Sequence, residues 1–188
     1  MENILPRNFY KRDTAEVARS LLGKALIKYD GEEMAGGVIT ETEAYYGQDD
    51  PASHAYSGET PRSSIMFEKP GTVYVYLCYG MYHLINIVTE EEGRPGAVLV
   101  RALEPVWGID IMRHRRNGSE RLTDGPGRLT IALGIGIEDN GTDIVKAEGG
   151  LRIFDFKRRD TNFRIARSRR VGINKGGDKL LRFIMLDK

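Results

Sequence analysis

The stretch "VYVYLCYGMYHLINIV", residues 73–88, decides the fold, because it consists of two apolar runs joined at Gly80. β-Branched and aromatic residues favour extended structure and a central glycine favours a tight turn, so the stretch predicts an antiparallel β-hairpin. The turn is unusual, since Tyr79 and Met81 flank Gly80 at a place where polar residues are the rule. The sequence therefore predicts a hairpin with a large apolar tip.

Strand alternation assigns side chains to the two faces of the sheet, because successive residues in a strand point in opposite directions. In the hairpin it places Tyr74 and Tyr76 on one face, where packing across the sheet is the simplest explanation for Tyr74. A second strand is predicted upstream over "GGVITETEAY", residues 36–45, which is rich in Thr, Val and Ile. Alternation predicts one face of this strand to carry Ile39, Glu41, Glu43 and Tyr45.

The remaining elements are short helices and strands. Asp13 and Glu16 have the spacing of a capping box, so a helix is expected over "DTAEVARSLLGK". Further helices are expected in "VWGIDIMRHRR" and "GPGRLTIALGI", with Asp124 as the N-cap of the second, and further strands in "KALIKY", "GAVLVRAL", "LRIFDF" and "LRFIML". We therefore predict a single domain over residues 1–188 of the α+β class, with a curved, largely antiparallel β-sheet, short flanking helices and a protruding β-hairpin.

Composition narrows the classes of protein. The chain has 188 residues, of which 40% are apolar, and this suits one globular domain. The single cysteine, Cys78, gives neither an internal disulfide nor a thiolate zinc cluster. No apolar run approaches the ~18 residues that span a membrane, and the first residues lack the apolar core of a signal peptide. We therefore expect an intracellular protein without a membrane partner.

Charge is spread unevenly along the chain, although the net charge is only +1. Residues 30–61 contain no lysine or arginine, whereas residues 157–170 hold seven basic residues and one acidic residue, and "MRHRRNGSER" is a second basic run. Local clusters of this kind can bind polyanions, and they are equally typical of a solvated surface. Charge alone leaves both interpretations open.

Candidate chemistry lies on the strand face with two carboxylates and in the loop that follows it. Residues 47–64 are rich in turn formers, and long loops in compact domains are often functional. A carboxylate beside aromatic surface is partly desolvated, which suits acid–base chemistry, although glutamates on strands are more often simply solvated. Glu41, Glu43 and His54 could also bind a metal, but their spacing matches no known ligand pattern. The apolar tip resembles the wedges that some proteins insert between stacked bases.

Three segments in order, "ETEAY", "HAYSGETPRSSIMFEKPGTVYVYLCYGMYHLINIV" and "AVLVRALEP", closely resemble the alkyladenine (3-methyladenine) DNA glycosylase family. The resemblance implies a single-domain, monomeric DNA glycosylase of base excision repair that uses no metal and no cofactor. Its substrates would be alkylated purines flipped out of duplex DNA, namely 3-methyladenine and 7-methylguanine, with hypoxanthine and ethenoadenine as further candidates. The implied partner is double-stranded DNA that contains alkylated or deaminated purines. The enzyme would act in the cytoplasm with the nucleoid in a prokaryote, or in the nucleus of a eukaryote.

The same resemblance implies the catalytic residues. Glu43, the second glutamate of "ETEAY", corresponds to the general base that activates a water. Arg101 of "VRALEP" corresponds to the residue that helps to hold this water, together with a backbone carbonyl near Val171. The strand face around Glu43 contains no lysine that could form a Schiff base, so we expect hydrolysis of the glycosidic bond without strand cleavage.

The resemblance also implies the residues that contact DNA. Tyr45, His54 and Tyr76 would stack on or contact the flipped base, and Asn86 would discriminate against guanine through its 2-amino group. At the hairpin tip, Tyr79 would insert into the base stack, with Met81 beside it. The main alternative is a non-catalytic protein that recognises distorted or damaged duplex DNA with the same hairpin and basic runs.

Overall fold

An antiparallel sheet organises the chain. Across residues 3–156 and 163–187, which the computed structural model describes, eight strands form this sheet in the order β3-β4-β5-β2-β1-β6, and the hairpin β7–β8 joins it through β2. All their pairings are antiparallel. The strands are β1 (Ala25–Asp30), β2 (Glu33–Tyr45), β3 (Val73–Cys78), β4 (Tyr82–Val88), β5 (Ala97–Trp107), β6 (Leu151–Phe154), β7 (Phe163–Ser168) and β8 (Arg182–Asp187).

Strand β2 curves the sheet because it changes partners along one edge. Its first half pairs with β1, from Glu33 to Val38, and its second half pairs with β8, from Glu41 to Glu43, while β5 runs along its other edge. A β-bulge in the pairing with β5 lies at the change of partner, on either side of Glu41. Bulges bend a strand and increase its twist. The predicted α+β fold with a curved antiparallel sheet is confirmed.

The bulge also corrects the predicted faces of β2. Ile39 packs in the main core, and so does Ala44, which alternation had placed on the opposite face. Between them the Thr42 hydroxyl donates to the backbone carbonyl of Ala18 at 2.8 Å, so it too points toward the core. The prediction that Ile39 shares a face with Glu41, Glu43 and Tyr45 is therefore wrong, because the bulge reverses the alternation at that point.

Four short α-helices flank the sheet within the described residues. They are α1 (Arg7–Tyr10), α2 (Thr14–Leu21), α3 (Ile109–Arg115) and α4 (Pro126–Leu133), and short 3-10 helices cover Ser64–Phe67, Ile137–Asp139 and Glu148–Gly150. No helix among the described residues is long and apolar enough to cross a membrane.

The helix caps are predicted correctly in one case and wrongly in another. The side chain of Asp13 accepts hydrogen bonds from the first backbone N–H groups of α2, as the capping pattern predicts. Helix α4 instead begins after Gly125, and the Asp124 carboxylate accepts from Arg121 at 2.5 Å and from Arg128 at 3.1 Å. The prediction of Asp124 as N-cap is wrong, because this side chain lies one residue too early and is held by two guanidinium groups.

Two apolar clusters fix the site region. The larger cluster lies between one face of the sheet and helices α2 and α4, and it includes Leu21, Ile87 and Leu129. A smaller cluster lies on the other face of the hairpin, where Ala55 and Met66 from the loop region pack on Tyr74. The second cluster anchors the long loop after β2 against the hairpin, and a pocket forms between them.

Candidate active site

A cavity of about 850 Å³ opens between the hairpin, the loop after β2 and the start of helix α4. Its polar and aromatic lining comes from segments that are distant in sequence, and its far wall is formed by residues 171–173. Representative lining residues are Tyr45, His54, Met66, Tyr74, Tyr76, Tyr79, Asn86, Arg101, Gly125, Val171 and Ile173.

Glu43 lies beneath the floor of this cavity and is fully buried. Oε2 of its carboxylate accepts a hydrogen bond from the Tyr45 hydroxyl at 2.8 Å and one from Nη1 of Arg101 at 3.3 Å, and Oε1 accepts from the backbone N–H of Val171 at 2.8 Å. All three donors line the cavity, whereas Glu43 does not. Each of the three donors compensates for part of the hydration that this carboxylate loses on burial.

Glu41 holds the arginine that contacts Glu43. Its Oε1 accepts from Nε of Arg101 at 2.6 Å and from Nε of Arg182 at 2.7 Å. Arg101 therefore bridges the two carboxylates of β2, with its Nε on Glu41 and its Nη1 on Glu43. The two glutamates differ in their chemistry: Glu41 orients a guanidinium group, and Glu43 lies next to the cavity.

Tyr45 forms one wall of the cavity, and a buried ion pair lies behind it. The guanidinium carbon of Arg170 lies 4.6 Å from the centre of the Tyr45 ring. Nη1 and Nη2 of Arg170 donate to the two carboxylate oxygens of Asp50 at 2.5 and 2.6 Å, and both side chains are fully buried. Burial alone would raise the pKa of Asp50, but the hydrogen bonds from Arg170 keep it below its ordinary value. Burial and the nearby Glu43 raise the pKa of Tyr45, so Tyr45 keeps its proton.

The opposite wall is an aromatic cluster. Nδ1 of His54 lies 2.8 Å from the Tyr74 hydroxyl, and the His54 ring meets the Tyr76 ring edge to face with centres 4.7 Å apart. Burial, helped by the positive charge of Arg62, lowers the pKa of His54 to about 4. His54 is therefore neutral at pH 7. The sequence suggests only that Tyr74 packs across the sheet. In the structure its hydroxyl group also positions the imidazole ring of His54.

Asn86 lies on β4 at the base of the cavity and is buried. Its Nδ2 donates to the backbone carbonyl of Tyr74 at 3.2 Å, which fixes the plane of the amide. In strand register Asn86 lies opposite Tyr74 on one side and Leu99 on the other. A side-chain amide in this position presents a directional polar group to whatever fills the cavity.

The tip of the hairpin is apolar and exposed, as predicted. The side chain of Tyr79 is 84% exposed and that of Met81 is 68% exposed. The backbone N–H of Met81 donates to the carbonyl of Cys78, and the two residues between them, Tyr79 and Gly80, have φ values of +51° and +68°. This is the φ pattern of a type I′ turn, a pattern that Asn-Gly adopts readily and a tyrosine adopts at a cost. Tyr79 lies at the mouth of the cavity, whereas Met81 lies outside its lining.

The cavity brings together nearly all of the residues that the sequence singled out. Its lining includes the implied base-binding residues and both Arg101 and Tyr79, and Glu43 lies just beneath. Val171 contributes its backbone N–H to Glu43, and the role implied for its carbonyl stays a prediction. Among the described residues, no group of three His, Cys, Asp or Glu side chains could hold a metal ion. The first part of the basic run, residues 157–162, lies outside the described residues.

Sequence reasoning missed three residues of the site. Tyr74 was assigned to packing, Asp50 was one of several acids in a loop, and Arg170 was one of seven basic residues in a run. Asp50 and Arg170 are 120 positions apart, so no local pattern pairs them. The available signal for Tyr74 was its position on the same strand face as Tyr76.

Comparison with known proteins gives a consistent result. The family model described as "Methylpurine-DNA glycosylase (MPG)" matches residues 8–188. Curated relatives named "Putative 3-methyladenine DNA glycosylase" include one from Carboxydothermus hydrogenoformans, 46% identical over 97% of this chain and 95% of its own length. Others are from Clostridium perfringens, 41% identical over 97% and 96%, and from Methanocella arvoryzae, 43% identical over 95% and 89%. This chain belongs to the methylpurine-DNA glycosylase family.

Proposed function

We propose that this protein is a monofunctional DNA glycosylase of base excision repair, which hydrolyses the N-glycosidic bond of alkylated purines flipped out of duplex DNA. The observation that carries the proposal is a fully buried, triply hydrogen-bonded Glu43 directly beneath an aromatic cavity, with an exposed apolar hairpin tip at the mouth. The names of the relatives support the same reaction.

Access to the base comes first. A glycosidic bond inside a stacked duplex is out of reach of a buried carboxylate, so the nucleotide must be extruded at a cost of roughly a few kcal/mol. Tyr79 offsets part of this cost by filling the vacated space and stacking on the neighbouring bases. Its exposed position at the cavity mouth suits this role. Met81, further along the turn, contacts the same region of the duplex from outside the cavity.

Recognition of the flipped base follows from the aromatic walls. The base stacks between Tyr45 on one side and the pair His54 and Tyr76 on the other, all of which line the cavity. Purines alkylated at N3 or N7 carry a positive charge, and an aromatic face attracts a cation by about 0.5–2 kcal/mol. Asn86 at the base of the cavity disfavours guanine through its 2-amino group. The proposed substrates are 3-methyladenine and 7-methylguanine, with hypoxanthine and ethenoadenine as further candidates.

Hydrolysis uses a water that Glu43 activates. Of the three hydrogen bonds to Glu43, the one from Arg101 is the longest at 3.3 Å, so it is the weakest and the first to admit a water between its two partners. In that position the water donates to Glu43 and accepts from Arg101. As the bond between the sugar C1′ and the purine nitrogen breaks, the purine leaves with the electron pair, and the carboxylate stabilises the positive charge that develops on the sugar. The water oxygen then bonds to C1′ while Glu43 takes the water proton, as carboxylates do in glycoside hydrolysis. Glu41 keeps Arg101 in place through its Nε.

Release of a neutral damaged base also requires a general acid, because a neutral purine leaves more readily when it is protonated. His54 is a poor general acid at pH 7, since burial lowers its pKa to about 4. Cationic lesions need no such acid. The site is therefore better suited to alkylated purines that already carry a positive charge.

The partner and location follow from the reaction. We propose that the protein acts as a monomer on double-stranded DNA, with residues 1–188 forming one domain. The relatives reported above come from prokaryotes, which supports an activity in the cytoplasm with the nucleoid. The basic run at residues 157–170 would supply phosphate contacts, although residues 157–162 of that run lie outside the described residues.

Chromatographic identification of released bases tests the proposal. Methylated duplex DNA and duplexes that each contain one hypoxanthine or ethenoadenine are incubated with the protein. Free 3-methyladenine is the expected main product, with 7-methylguanine released more slowly because it keeps the 2-amino group that Asn86 disfavours, and with the strand left uncut. Failure to release any base while lesion-bearing duplexes still bind would favour the alternative, a non-catalytic protein that recognises damaged DNA. A covalent adduct trapped by borohydride would contradict the hydrolytic mechanism, because it requires an amine nucleophile.

A further inference from the structure

We propose that the buried ion pair of Asp50 and Arg170 determines how well the cavity accepts cationic as opposed to neutral damaged bases, because it sets the net charge behind Tyr45. This inference rests on the proposed function, in which a flipped purine stacks on the cavity face of Tyr45. It assigns a specificity role to two residues that lie outside the cavity lining.

The geometry places a cation directly behind the stacking platform. The guanidinium carbon of Arg170 lies 4.6 Å from the centre of the Tyr45 ring, while Tyr45 itself lines the cavity and Arg170 does not. Arg170 therefore lies on the side of the ring away from the cavity. A base stacked on the front face would lie only about 8 Å from the guanidinium group, if a stacking distance of roughly 3.5 Å is added.

A lone cation at that distance would oppose a cationic purine. With an effective dielectric constant near 20, two unit charges about 8 Å apart repel each other enough to change an equilibrium by more than tenfold. Asp50 removes this penalty, since its carboxylate binds both Nη atoms of Arg170 and both side chains are fully buried. The backbone N–H groups of Tyr46 and Ala52 also donate to Asp50, which stabilises its negative charge.

A purely structural role does not explain the arrangement as well. Buried ion pairs are weak contributors to stability, because apolar residues of similar size often replace them without loss. Arg170 does tie three segments together, since it also donates to the carbonyls of Ala44 and Gly176. That tethering would act on every substrate alike. Only the charge of the pair distinguishes a cationic base from a neutral one.

The experiment compares two lesions in each of several variants. Single-turnover rate constants are measured for the release of two bases. One is 3-methyladenine, whose nucleotide is cationic, released from methylated duplex DNA. The other is hypoxanthine, which is neutral, released from a duplex of defined sequence. The ratio of the two constants is independent of the folded fraction, so a destabilised variant still gives an answer. The variants are Asp50→Asn, Arg170→Gln and the double variant Asp50→Asn/Arg170→Gln. The control is Asp139→Asn, which removes the partner of Lys28 in another buried ion pair, and neither Lys28 nor Asp139 lines the cavity.

The two single variants are expected to change the ratio in opposite directions. Asp50→Asn leaves a positive charge behind Tyr45 and should lower the ratio of 3-methyladenine to hypoxanthine release about tenfold. Arg170→Gln removes the guanidinium group and leaves Asp50 with the backbone N–H groups of Tyr46 and Ala52, which still favour its charged form, so the ratio should rise. The double variant should return close to the wild-type ratio, and Asp139→Asn should keep it.

Two results would contradict this inference, and a third would contradict the proposed function on which it rests. If both single variants change the ratio in the same direction, or leave it unchanged, the pair acts only as a tether and the inference is wrong. If the wild-type protein releases neither base, the proposed function itself fails. If one single variant does not fold, the other single variant and the double variant still define the sign of the effect.

Discussion

The floor of the cavity and the tip of the hairpin break the usual rule of polar outside and apolar inside in opposite ways. The charged side chains buried beneath and behind the cavity are Glu43, Asp50 and Arg170, and they are called the floor from here on, whereas the tip exposes the side chains of Tyr79 and Met81. Buried charges are costly unless they are paired, and exposed clusters of large apolar side chains are uncommon on monomers. Both regions therefore need an explanation other than stability.

The difference lies in where each region finds its partners. On the floor, the Glu43 carboxylate accepts three hydrogen bonds and Asp50 pairs with Arg170 through two, all from within the chain. At the tip, the large side chains project away from the described part of the protein. The hydrogen-bonding groups of the floor are thus satisfied within the chain, whereas the apolar surface of the tip is left exposed. Changes to the floor should therefore affect turnover, and changes to the tip should affect binding.

The largest expected effect is on turnover after substitution of Glu43. Glu43→Gln keeps the shape of the side chain but removes the base, so we expect single-turnover base release to fall by about 10³-fold or more, at the upper end for a general base. Binding to lesion-bearing duplex should persist, as measured by fluorescence anisotropy. The matched control is Glu41→Gln on the same strand face, which should lower release less, since Glu41 acts only by orienting Arg101. Equal losses for the two variants, or unchanged release in Glu43→Gln, would remove Glu43 from the mechanism.

The next effect concerns binding through the tip. Tyr79→Asn removes the ring that fills the vacated space, and since stacking of one base on an aromatic ring contributes about 1–3 kcal/mol, affinity for a duplex with an abasic-site analogue should fall about tenfold or more. Affinity for undamaged duplex should fall much less. Leu186→Asn, which changes an exposed apolar residue on β8, serves as the control. An equal loss on both duplexes would mean that Tyr79 is only general contact surface.

Much of the fold could be predicted because its signals are local. The hairpin, helix α2 and most strands follow from residue type, alternation and capping within short windows. The bulge in β2 could not be predicted, because it arises where β2 leaves β1 and pairs with β8, about 140 residues away in sequence. Strand β7 was also missed, since Arg164 and Arg167 gave "FRIARS" the composition of a solvated basic run.

The residues of the candidate site also fall into those with a local sequence signal and those without one. The residues proposed for catalysis and base binding could be named because they lie in contiguous motifs that resemble a family, and the cavity brings most of them together. The residues that support them could not be named from the sequence. Asp50 and Arg170 are far apart in the chain and come into contact only in the folded protein. Residue type alone also hides function when packing is a sufficient explanation, as with Tyr74.

A moderate effect concerns the aromatic wall that contains His54, whose contribution to stability should depend on pH. In the folded protein the pKa of His54 is lowered to about 4, chiefly by burial, against 6.5 in the unfolded chain. Between pH 6.5 and 4 the unfolded chain therefore binds a proton that the folded protein does not, so the free energy of unfolding should fall as the pH falls through this window. His54→Gln should reduce that slope, as measured by urea unfolding at several pH values. An unchanged slope would mean that His54 titrates normally.

The smallest expected effect is a gain in stability at the tip, in the same variant that loses binding. Tyr79 has a φ of +51°, in the left-handed region that a bulky residue adopts only at a cost, whereas Asn followed by Gly80 is a favoured pair for a type I′ turn. Tyr79→Asn should therefore stabilise the fold by roughly 0.5–1 kcal/mol, read as a small rise in Tm, while affinity for the abasic-site duplex falls. A fall in Tm would show that the tyrosine ring contributes to the fold, and the contrast between the two regions would then weaken, since the tip would have a partner inside the protein as well.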